Sequence, residues 1–302
     1  MTSRYLVRSV CALAGPGGTV IAVALFAAWA ALAPSEALAA QPTPWQIWSQ
    51  AAATPTMERI DALTLYLNVL MVVIVILVTA LIVFVMWRFH HRRHPEASKR
   101  GHNTVLEIGW TLVPIAILLT VVGPSLRLLY FMDQTTEADM TVKVIGHQWY
   151  WSYEYPDHGG FGFDSFMKWE GELAPNEPRL LAVDQPMVVP AGATVRLLLT
   201  STDVIHSWGV PSLGIKTDTV PGRISETWFR TKEPGVYYGQ CYELCGVNHG
   251  FMPIEVRAVS PEDFERWVEE TRAAFAPTLP DDPAAPSVTV AETRPDASNP
   301  LR

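Results

Sequence analysis

Two long apolar runs dominate the first half of the chain. Leu63–Trp87 contains no charged residue over 25 positions, and Ile108–Leu126 contains none over 19. A helix needs about 20 predominantly apolar residues to cross a bilayer. Pro114 and Gly123-Pro124 interrupt the second run, which a membrane helix tolerates when neighbouring helices satisfy the freed carbonyl groups. The pattern predicts two membrane spans, at about 63–87 and 108–128, with a buried helix of a soluble protein as the alternative for the second.

The loop between these runs is short and strongly basic. Residues 88–100 contain five arginine or lysine residues and one acid. Positively charged loops stay on the cytoplasmic side of the membrane. We therefore predict that both outer ends of the helical hairpin are exported.

The amino-terminal residues have the features of an export signal. Two arginines precede the apolar run Val20–Ala33, and the small residues Ala37-Leu38-Ala39 follow it. This order is typical of a signal peptide with a cleavage site. We predict a cleaved signal peptide over 1–39, and an exported segment plus the two-helix hairpin over 40–132. An uncleaved third helix is the alternative, and it would leave the remaining topology unchanged.

After the second apolar run, short β-rich segments alternate with proline and glycine. Such a pattern predicts a β-sandwich or Greek-key barrel, here over residues 133–275. The predicted strands are 141–155, 178–190, 194–200, 225–229, 236–240 and 252–259.

One helix is predicted after the last strand. Ser260 is a suitable N-cap, a proline and two acids follow it, and Phe264, Trp267 and Val268 recur at helical spacing. Beyond residue 275 the chain is rich in proline, alanine and aspartate. We predict a disordered tail over 276–302.

The densest chemistry lies in the loop Cys241–Met252, which reads CYELCGVNHGFM. Two thiols, an imidazole and a thioether occur within these twelve residues, and these donor types select copper over magnesium or calcium. His206, about 35 residues upstream, is a candidate to complete the site.

Three simpler interpretations compete with a copper pair. An exported protein favours a disulfide between Cys241 and Cys245, but that leaves His249 and Met252 without a role. Structural zinc takes tetrahedral Cys and His ligands and has no use for a thioether. A mononuclear blue-copper site needs a single cysteine, so one thiol would be left over. A dinuclear site bridged by both sulfurs uses all of these donors.

The chain resembles subunit II of the haem-copper cytochrome c oxidases. The loop is similar to the CuA motif of that family, and three further segments carry the resemblance, over roughly 45–275. These are Gly146–Tyr155 (GHQWYWSYEY), Asp203–Trp208 (DVIHSW) and Lys216–Arg223 (KTDTVPGR). The resemblance implies a membrane-anchored all-β protein, with a transmembrane hairpin followed by a cupredoxin-like Greek-key domain.

The resemblance also implies a ligand set for two copper ions. It consists of the side chains of His206, Cys241, Cys245, His249 and Met252 and the backbone carbonyl of Glu243. In the family, the carboxylate of the glutamate between the two cysteines also reaches a magnesium or manganese ion shared with subunit I. Oxygen ligands suit such hard cations.

Two residues outside the loop receive roles by resemblance. Trp149 stands at the family position for electron entry from cytochrome c, and Glu107 at the mouth of a proton pathway into subunit I. Because side chains alternate along a strand, we expect Trp149 and Trp151 on one face and Tyr150 on the other. At least one of these tryptophans is then structural.

The charge distribution agrees with a basic partner for the exported part. Residues 133–302 carry 25 acids and 13 bases, a net −12, and residues 1–132 carry 5 acids and 9 bases, a net +4, which together give the overall −8. An acidic surface steers a basic partner towards it. By resemblance that partner is cytochrome c, docked around Glu154, Asp157, Asp184 and Asp203.

The expected function is therefore electron entry into a proton-pumping oxidase in the bacterial inner membrane, with the copper domain in the periplasm. Oxygen is reduced in subunit I, and subunit III is a further expected partner, whereas nucleic acid is not. Two alternatives remain open. One is a metal-free structural subunit of a quinol oxidase, and the other is a membrane-tethered copper sensor or chaperone.

Overall fold

The computed structural model describes residues 42–96, 99, 101–134 and 137–275. The predicted signal peptide over 1–39 and the tail over 276–302 lie outside this part. The elements, in chain order, are α1 Pro55–Arg88, α2 Thr104–Asp133, β1 Met140–His147, β2 Tyr150–Tyr155, β3 Phe161–Ser165, β4 Met187–Pro190, β5 Thr194–Ser201, β6 His206–Val210, β7 Ile215–Thr219, β8 Ser225–Arg230, β9 Gly235–Cys241, β10 Ile254–Val259 and α3 Pro261–Phe275.

Both predicted apolar spans lie within long helices. α1 begins after Thr54, whose hydroxyl accepts a hydrogen bond from the Met57 amide at 3.0 Å. The prolines at 114 and 124 lie inside α2 without ending it. Both helices are long and apolar enough to cross a membrane, and their apolar windows have no buried residues. Both predicted spans are therefore present as exposed apolar helices of sufficient length.

The strands β1–β10 form two five-stranded sheets that pack face to face. Their strand orders are β3-β2-β1-β5-β8 and β4-β10-β9-β6-β7. β1 runs parallel to β5 and β4 parallel to β10, while the other pairs are antiparallel. Inward-facing side chains alternate along β1, β2 and β5 and fill the space between the sheets. This sandwich confirms the cupredoxin-like fold.

The strand boundaries correct the sequence prediction at two places. Segment 141–155 is two strands, because the chain turns back at Gln148 and Trp149 and pairs β2 with β1. Trp149 therefore lies in the turn, and the expected strand face for it is wrong. Only Met187–Pro190 of the segment 178–190 is a strand, since the preceding residues form turns.

Three strands were absent from the sequence prediction. β6 is buried on both faces, so its side chains show no alternation of apolar and polar types. β3 and β7 are short and include polar or glycine positions. Each of them is held by pairing with a neighbour, which is information that the local pattern does not contain.

The hairpin joins the sandwich through a few specific contacts at the start of α1. The buried Thr54 hydroxyl donates to the Leu213 carbonyl at 2.8 Å. The Ala53 amide donates to the Ser212 carbonyl at 2.9 Å, and Glu58 forms an ion pair with Lys232. At the other end of the domain, Ser260 caps α3 as predicted.

Candidate metal centre

The sheet brings His206 next to Cys241, although 35 residues separate them in the sequence. His206 begins β6 and Cys241 ends β9, and these strands pair with Trp208 opposite Cys241. The pairing depends on glycine at position 239. A Cβ atom there would lie 2.0 Å from the Gly209 carbonyl oxygen, so only glycine permits this approach.

The two thiols form the centre of the cluster. The Sγ atoms of Cys241 and Cys245 are 3.9 Å apart, and the Nδ1 atom of His206 lies 3.9 Å from the Cys241 sulfur. The ligand atoms of these three buried residues all lie within 4.8 Å of one another. The carbonyl oxygen of Glu243 is 3.3 Å from the Cys241 sulfur.

The second half of the loop brings two more donors to the Cys245 sulfur. The Nδ1 atom of His249 and the Sδ atom of Met252 each lie 3.5 Å from it. Met252 is almost completely buried, whereas His249 is partly exposed. All six donors named by the resemblance therefore converge on one place.

The geometry bears on the simpler interpretations of the loop. Both cysteines are free thiols, and their sulfurs are about twice as far apart as in a disulfide bond. The Met252 thioether lies as close to the Cys245 sulfur as the His249 imidazole does. It adds a soft donor to the site, and a structural zinc site does not use a thioether. The donor chemistry fits copper.

Asp203 fixes the orientation of His206. One of its oxygens lies 2.8 Å from the Nε2 atom of His206, which leaves Nδ1 facing the sulfurs. The other oxygen accepts the Gln148 amide at 2.7 Å. A carboxylate behind a ligating histidine is a common device for setting its tautomer and basicity.

The environment separates the pKa values of the two thiols. Burial acts to raise the pKa of Cys241, but hydrogen bonds, first from His206, outweigh it and lower this pKa to about 7. Burial and the nearby Cys241 charge both raise the pKa of Cys245, to about 12. Cys245 therefore keeps its proton at neutral pH, and a metal ion bound to its sulfur must displace that proton.

Trp149 and Gln148 pack directly against the loop. The indole Nε1 of Trp149 and the side-chain amide of Gln148 both donate to the Cys245 carbonyl, at 3.1 and 2.7 Å. Gly246 has a φ of 122°, and a Cβ there would lie 2.9 Å from the indole. The sequence did not single out Gln148, although it lies in the quoted GHQWYW segment.

Trp151 has a different environment from Trp149. It is fully buried in the sandwich, and its Nε1 donates to the Met252 carbonyl at 3.1 Å. Tyr150 lies on the other face of β2, stacked between His147 and Phe166. Trp151 is therefore the structural tryptophan of the pair, and Trp149 is only partly buried.

The structure places the predicted docking acids as follows. Asp203 is at the site itself, and Glu154 forms an ion pair with Lys143 at 2.9 Å. Asp157 accepts the Thr141 amide and Asp184 the Phe166 amide, each at 2.7 Å. Glu154 and Asp184 share a surface concavity of about 600 Å³ with a further acid.

That further acid is Asp164, which the sequence reasoning missed. It lies on β3 and accepts a hydrogen bond from Ser152. In the sequence, Asp164 appears only as a single acid after two aromatic residues in the segment FGFDS. That segment was not predicted as a strand, so the position of Asp164 on the surface could not be inferred. The strand pairing turns it towards the same concavity as the predicted acids.

Glu107 lies in the first turn of α2 and bonds back to the N-cap residue, Asn103. Its carboxylate accepts the Asn103 amide at 3.0 Å, while the Asn103 side chain accepts the Leu106 amide at 3.2 Å. His102 pairs with the same carboxylate at 2.6 Å. This reciprocal arrangement satisfies orphan donors at a helix start.

The fold and site together define a membrane-anchored β-sandwich with a buried cluster of thiol and imidazole groups that could hold a metal ion. Comparison with known families gives two matches. The cytochrome c oxidase subunit II periplasmic domain matches residues 140–259, and the transmembrane domain of the same subunit matches residues 42–128. The chain belongs to the cytochrome c oxidase subunit II family. Membership implies a CuA copper site, and the cluster of His206, Cys241 and Cys245 supplies suitable donors.

Individual relatives are similar over most of their length. A probable cytochrome c oxidase subunit 2 from Rickettsia bellii is 48% identical over 83% of this chain and 90% of its own. Cytochrome c oxidase subunit 2 from Cereibacter sphaeroides is 40% identical over 88% of this chain and 95% of its own. Among solved structures, this chain matches the crystal structure of the periplasmic domain of subunit II of cytochrome oxidase from Bradyrhizobium japonicum. The sequence identity is 48% and the TM-score is 0.45, and the match covers 47% of this chain and 100% of that chain.

Proposed function

We propose that this chain is the electron-entry subunit of a proton-pumping cytochrome c oxidase. It takes electrons from cytochrome c and delivers them to the haem-bearing subunit I, where oxygen is reduced to water. One observation carries the proposal: two thiols, two imidazoles, a thioether and a backbone carbonyl converge at one place on a membrane-anchored chain.

The donor set fits two copper ions rather than one. The ions would be held by the side chains of Cys241, Cys245, His206, His249 and Met252 and by the carbonyl of Glu243. When bound, a copper pair of this kind supplies one-electron exchange with little structural rearrangement.

The protein's own contribution is to hold the donors rigidly and to exclude water. His206 is completely buried, and only 1% of the Met252 surface is exposed. Asp203 holds the ring of His206, and Trp151 anchors the Met252 carbonyl. A preformed site of this kind needs little reorganisation when its charge changes.

Trp149 is the proposed point of electron entry. It is partly buried against the edge of the core, and its indole hydrogen-bonds to the carbonyl of the ligand residue Cys245. Cytochrome c would dock on the acidic surface of the domain through Glu154, Asp157, Asp184 and Asp203, of which Asp203 contacts the turn that carries Trp149. The net charge of −12 over residues 133–302 supports a basic partner.

Two carboxylates are proposed to act at the boundary with subunit I. Glu243 is exposed and would reach a magnesium or manganese ion shared with that subunit. Glu107 would stand at the mouth of a proton pathway on the cytoplasmic side. The basic inter-helix loop supports this orientation in a bacterial inner membrane, with the sandwich in the periplasm and subunit III as a further partner.

The alternative functions make different demands on the same residues. A metal-free quinol oxidase subunit has no use for converged copper donors. A copper chaperone needs an exposed site that exchanges its ion, whereas Cys241 and Cys245 are 5% and 3% exposed. Both observations favour a resident copper centre.

The test is the electron paramagnetic resonance spectrum of the copper-loaded full-length chain and of its Cys241→Ser variant. We expect two copper ions per chain and a hyperfine pattern with more lines than a single copper nucleus gives. The variant should lose this pattern, and an oxidase complex assembled with it should lose activity, while a Ser207→Ala control keeps both. Unimpaired activity of the variant would support the quinol alternative, and rapid loss of copper to a chelator would support the chaperone.

A further inference from the structure

A groove between the two membrane helices lies apart from the metal centre. It has a volume of about 390 Å³ and is open on one side, at the end of the hairpin that joins the β-sandwich. The residues that line it come from both helices and are Arg59, Ala62, Leu63, Tyr66, Pro124, Arg127 and Leu128.

The position of the two arginines matches the boundary of the hydrocarbon layer. Arg127 directly follows the uncharged run that ends at Leu126, and Arg59 lies four residues before the run that begins at Leu63. At 1.5 Å per residue, four helical residues span about 6 Å. Both guanidinium groups can therefore lie at the level of the lipid headgroups, with the apolar groove residues below them.

Neither arginine is neutralised within the described part of the chain. No carboxylate lies within 4 Å of either guanidinium there, and the neighbouring Glu58 is paired with Lys232. Two positive charges therefore face a groove whose lining residues include no carboxylate. A guanidinium group binds a phosphate through paired hydrogen bonds, which makes it a suitable phosphate receptor.

The β-sandwich holds one of these arginines in place. The guanidinium carbon of Arg59 lies 3.4 Å from the ring centre of Phe131, and Phe131 makes an edge contact with Trp228 of β8. Deeper in the hairpin, the Tyr66 hydroxyl contacts the Thr120 hydroxyl at 2.6 Å and joins the two helices. The groove therefore has a charged rim, with Arg59 held against the sandwich, and mainly apolar residues below it.

We propose that this groove binds one phospholipid, with its phosphate between Arg59 and Arg127 and an acyl chain along Leu63, Tyr66 and Leu128. An anionic headgroup such as that of phosphatidylglycerol fits the unpaired double charge best. The lipid would join the hairpin to the base of the β-sandwich through Arg59, Phe131 and Trp228.

The test is native mass spectrometry of the purified oxidase complex titrated with phosphatidylglycerol in detergent. Each arginine near an anionic lipid contributes about a factor of five in affinity, so Arg59→Gln/Arg127→Gln should weaken the tightest lipid site about thirtyfold. Ala62→Trp keeps both charges but fills the groove, and it should weaken the same site. The control Arg179→Gln/Arg266→Gln removes two exposed charges from the β domain and should change nothing.

Three further outcomes would overturn the proposal. Equal binding of a diacylglycerol with the same acyl chains would show an apolar groove without phosphate recognition. Displacement of the lipid by inorganic phosphate alone would show a simple anion site. A neighbouring subunit's acidic side chain seated between the arginines would show a protein interface.

A measurement on the unmodified complex keeps the proposal testable even if a variant fails to assemble. A photoreactive phosphatidylglycerol should cross-link to peptides that contain residues 59–66 and 124–128. Absence of these cross-links, with labelling elsewhere on the complex, would count against the site.

Discussion

The β-sandwich and the helical hairpin differ in how they shield their apolar side chains from water. The sandwich buries its aromatic and aliphatic side chains between two sheets, and the metal donors share that interior. The hairpin buries only Thr56 and Met57 of α1 and no residue of α2. The sandwich therefore supplies its own environment, whereas the hairpin depends on lipid or on a partner subunit.

This difference explains why side-chain positions are fixed more tightly in the sandwich than in the hairpin. Donor positions in the sandwich are fixed by strand pairing, by buried hydrogen bonds and by glycines that allow close approach. The hairpin helices are joined along their length by few polar contacts, of which Tyr66–Thr120 is one. Electron exchange needs rigid donors, and a membrane anchor needs mainly length and apolarity.

The largest expected effect comes from Gly239→Ala, which disrupts the pairing of β6 and β9, the strands that carry His206 and Cys241. The new Cβ would overlap the Gly209 carbonyl, and neither backbone can shift without breaking the β6–β9 ladder. We expect a loss of more than about 3 kcal/mol in the stability of the sandwich. Thermal unfolding of the full-length chain, followed by tryptophan fluorescence, measures it.

Gly171→Ala is the matched control for that experiment. A Cβ at this position has no neighbour within 4 Å, so the stability should stay the same. An unchanged melting temperature for Gly239→Ala would show that the sandwich is less rigid than the comparison with the hairpin requires.

Asp203→Asn tests the positioning of a ligand without removing a donor. The amide keeps the size of the side chain but no longer offers a charged acceptor to the Nε2 atom of His206. Loss of such a partner lowers metal affinity by about 10- to 100-fold. Competition with a copper chelator measures the change, and Asp218→Asn, whose side chain is half-exposed on β7, is the control. An equal loss in the control would indicate a general charge effect.

Thr54→Ala addresses the connection between the two regions. It removes the hydrogen bond from the Met57 amide and the one donated to the Leu213 carbonyl. An N-cap substitution of this type costs about 1 kcal/mol. Faster hydrogen exchange in the first turn of α1 should report it, whereas Thr54→Ser keeps the hydroxyl and should exchange at the parent rate.

The smallest effect is expected at Glu177, in the turn region before β4. A hydrogen bond from Lys168, followed by one from the Ala174 amide, lowers the pKa of Glu177. This pKa is lower in the folded state than in the unfolded state. The Glu177 carboxylate therefore stabilises the folded protein at pH values above its unfolded-state pKa, and this stabilisation is lost as the pH falls through its folded-state pKa. Glu177→Gln should cost about 0.5 kcal/mol at neutral pH and nothing in acid.

Denaturation curves at several pH values measure the Glu177 effect. Glu269→Gln serves as the control, because no ion pair to Glu269 is found within the described residues. A pH-independent loss for Glu177→Gln would assign its role to packing.

The sequence was sufficient for the parts that depend on local pattern. The two apolar runs, the capped final helix and strands such as 194–200 carry their own periodicity or composition, and the structure contains each of them. The donors of the CuA-like loop could also be identified from the sequence, because four side-chain donors lie within twelve consecutive residues. Local chemistry of this kind does not need the fold to be recognised.

Only the tertiary structure decided which distant residues meet. The turn at Gln148–Trp149 presents the indole to the Cys245 carbonyl, and β6, which has no alternating pattern, carries His206 to the sulfurs. The arginines of the groove are likewise unremarkable in the sequence and become neighbours through helix packing. These contacts form because burial and strand pairing act between segments far apart in the chain, and no local pattern records them.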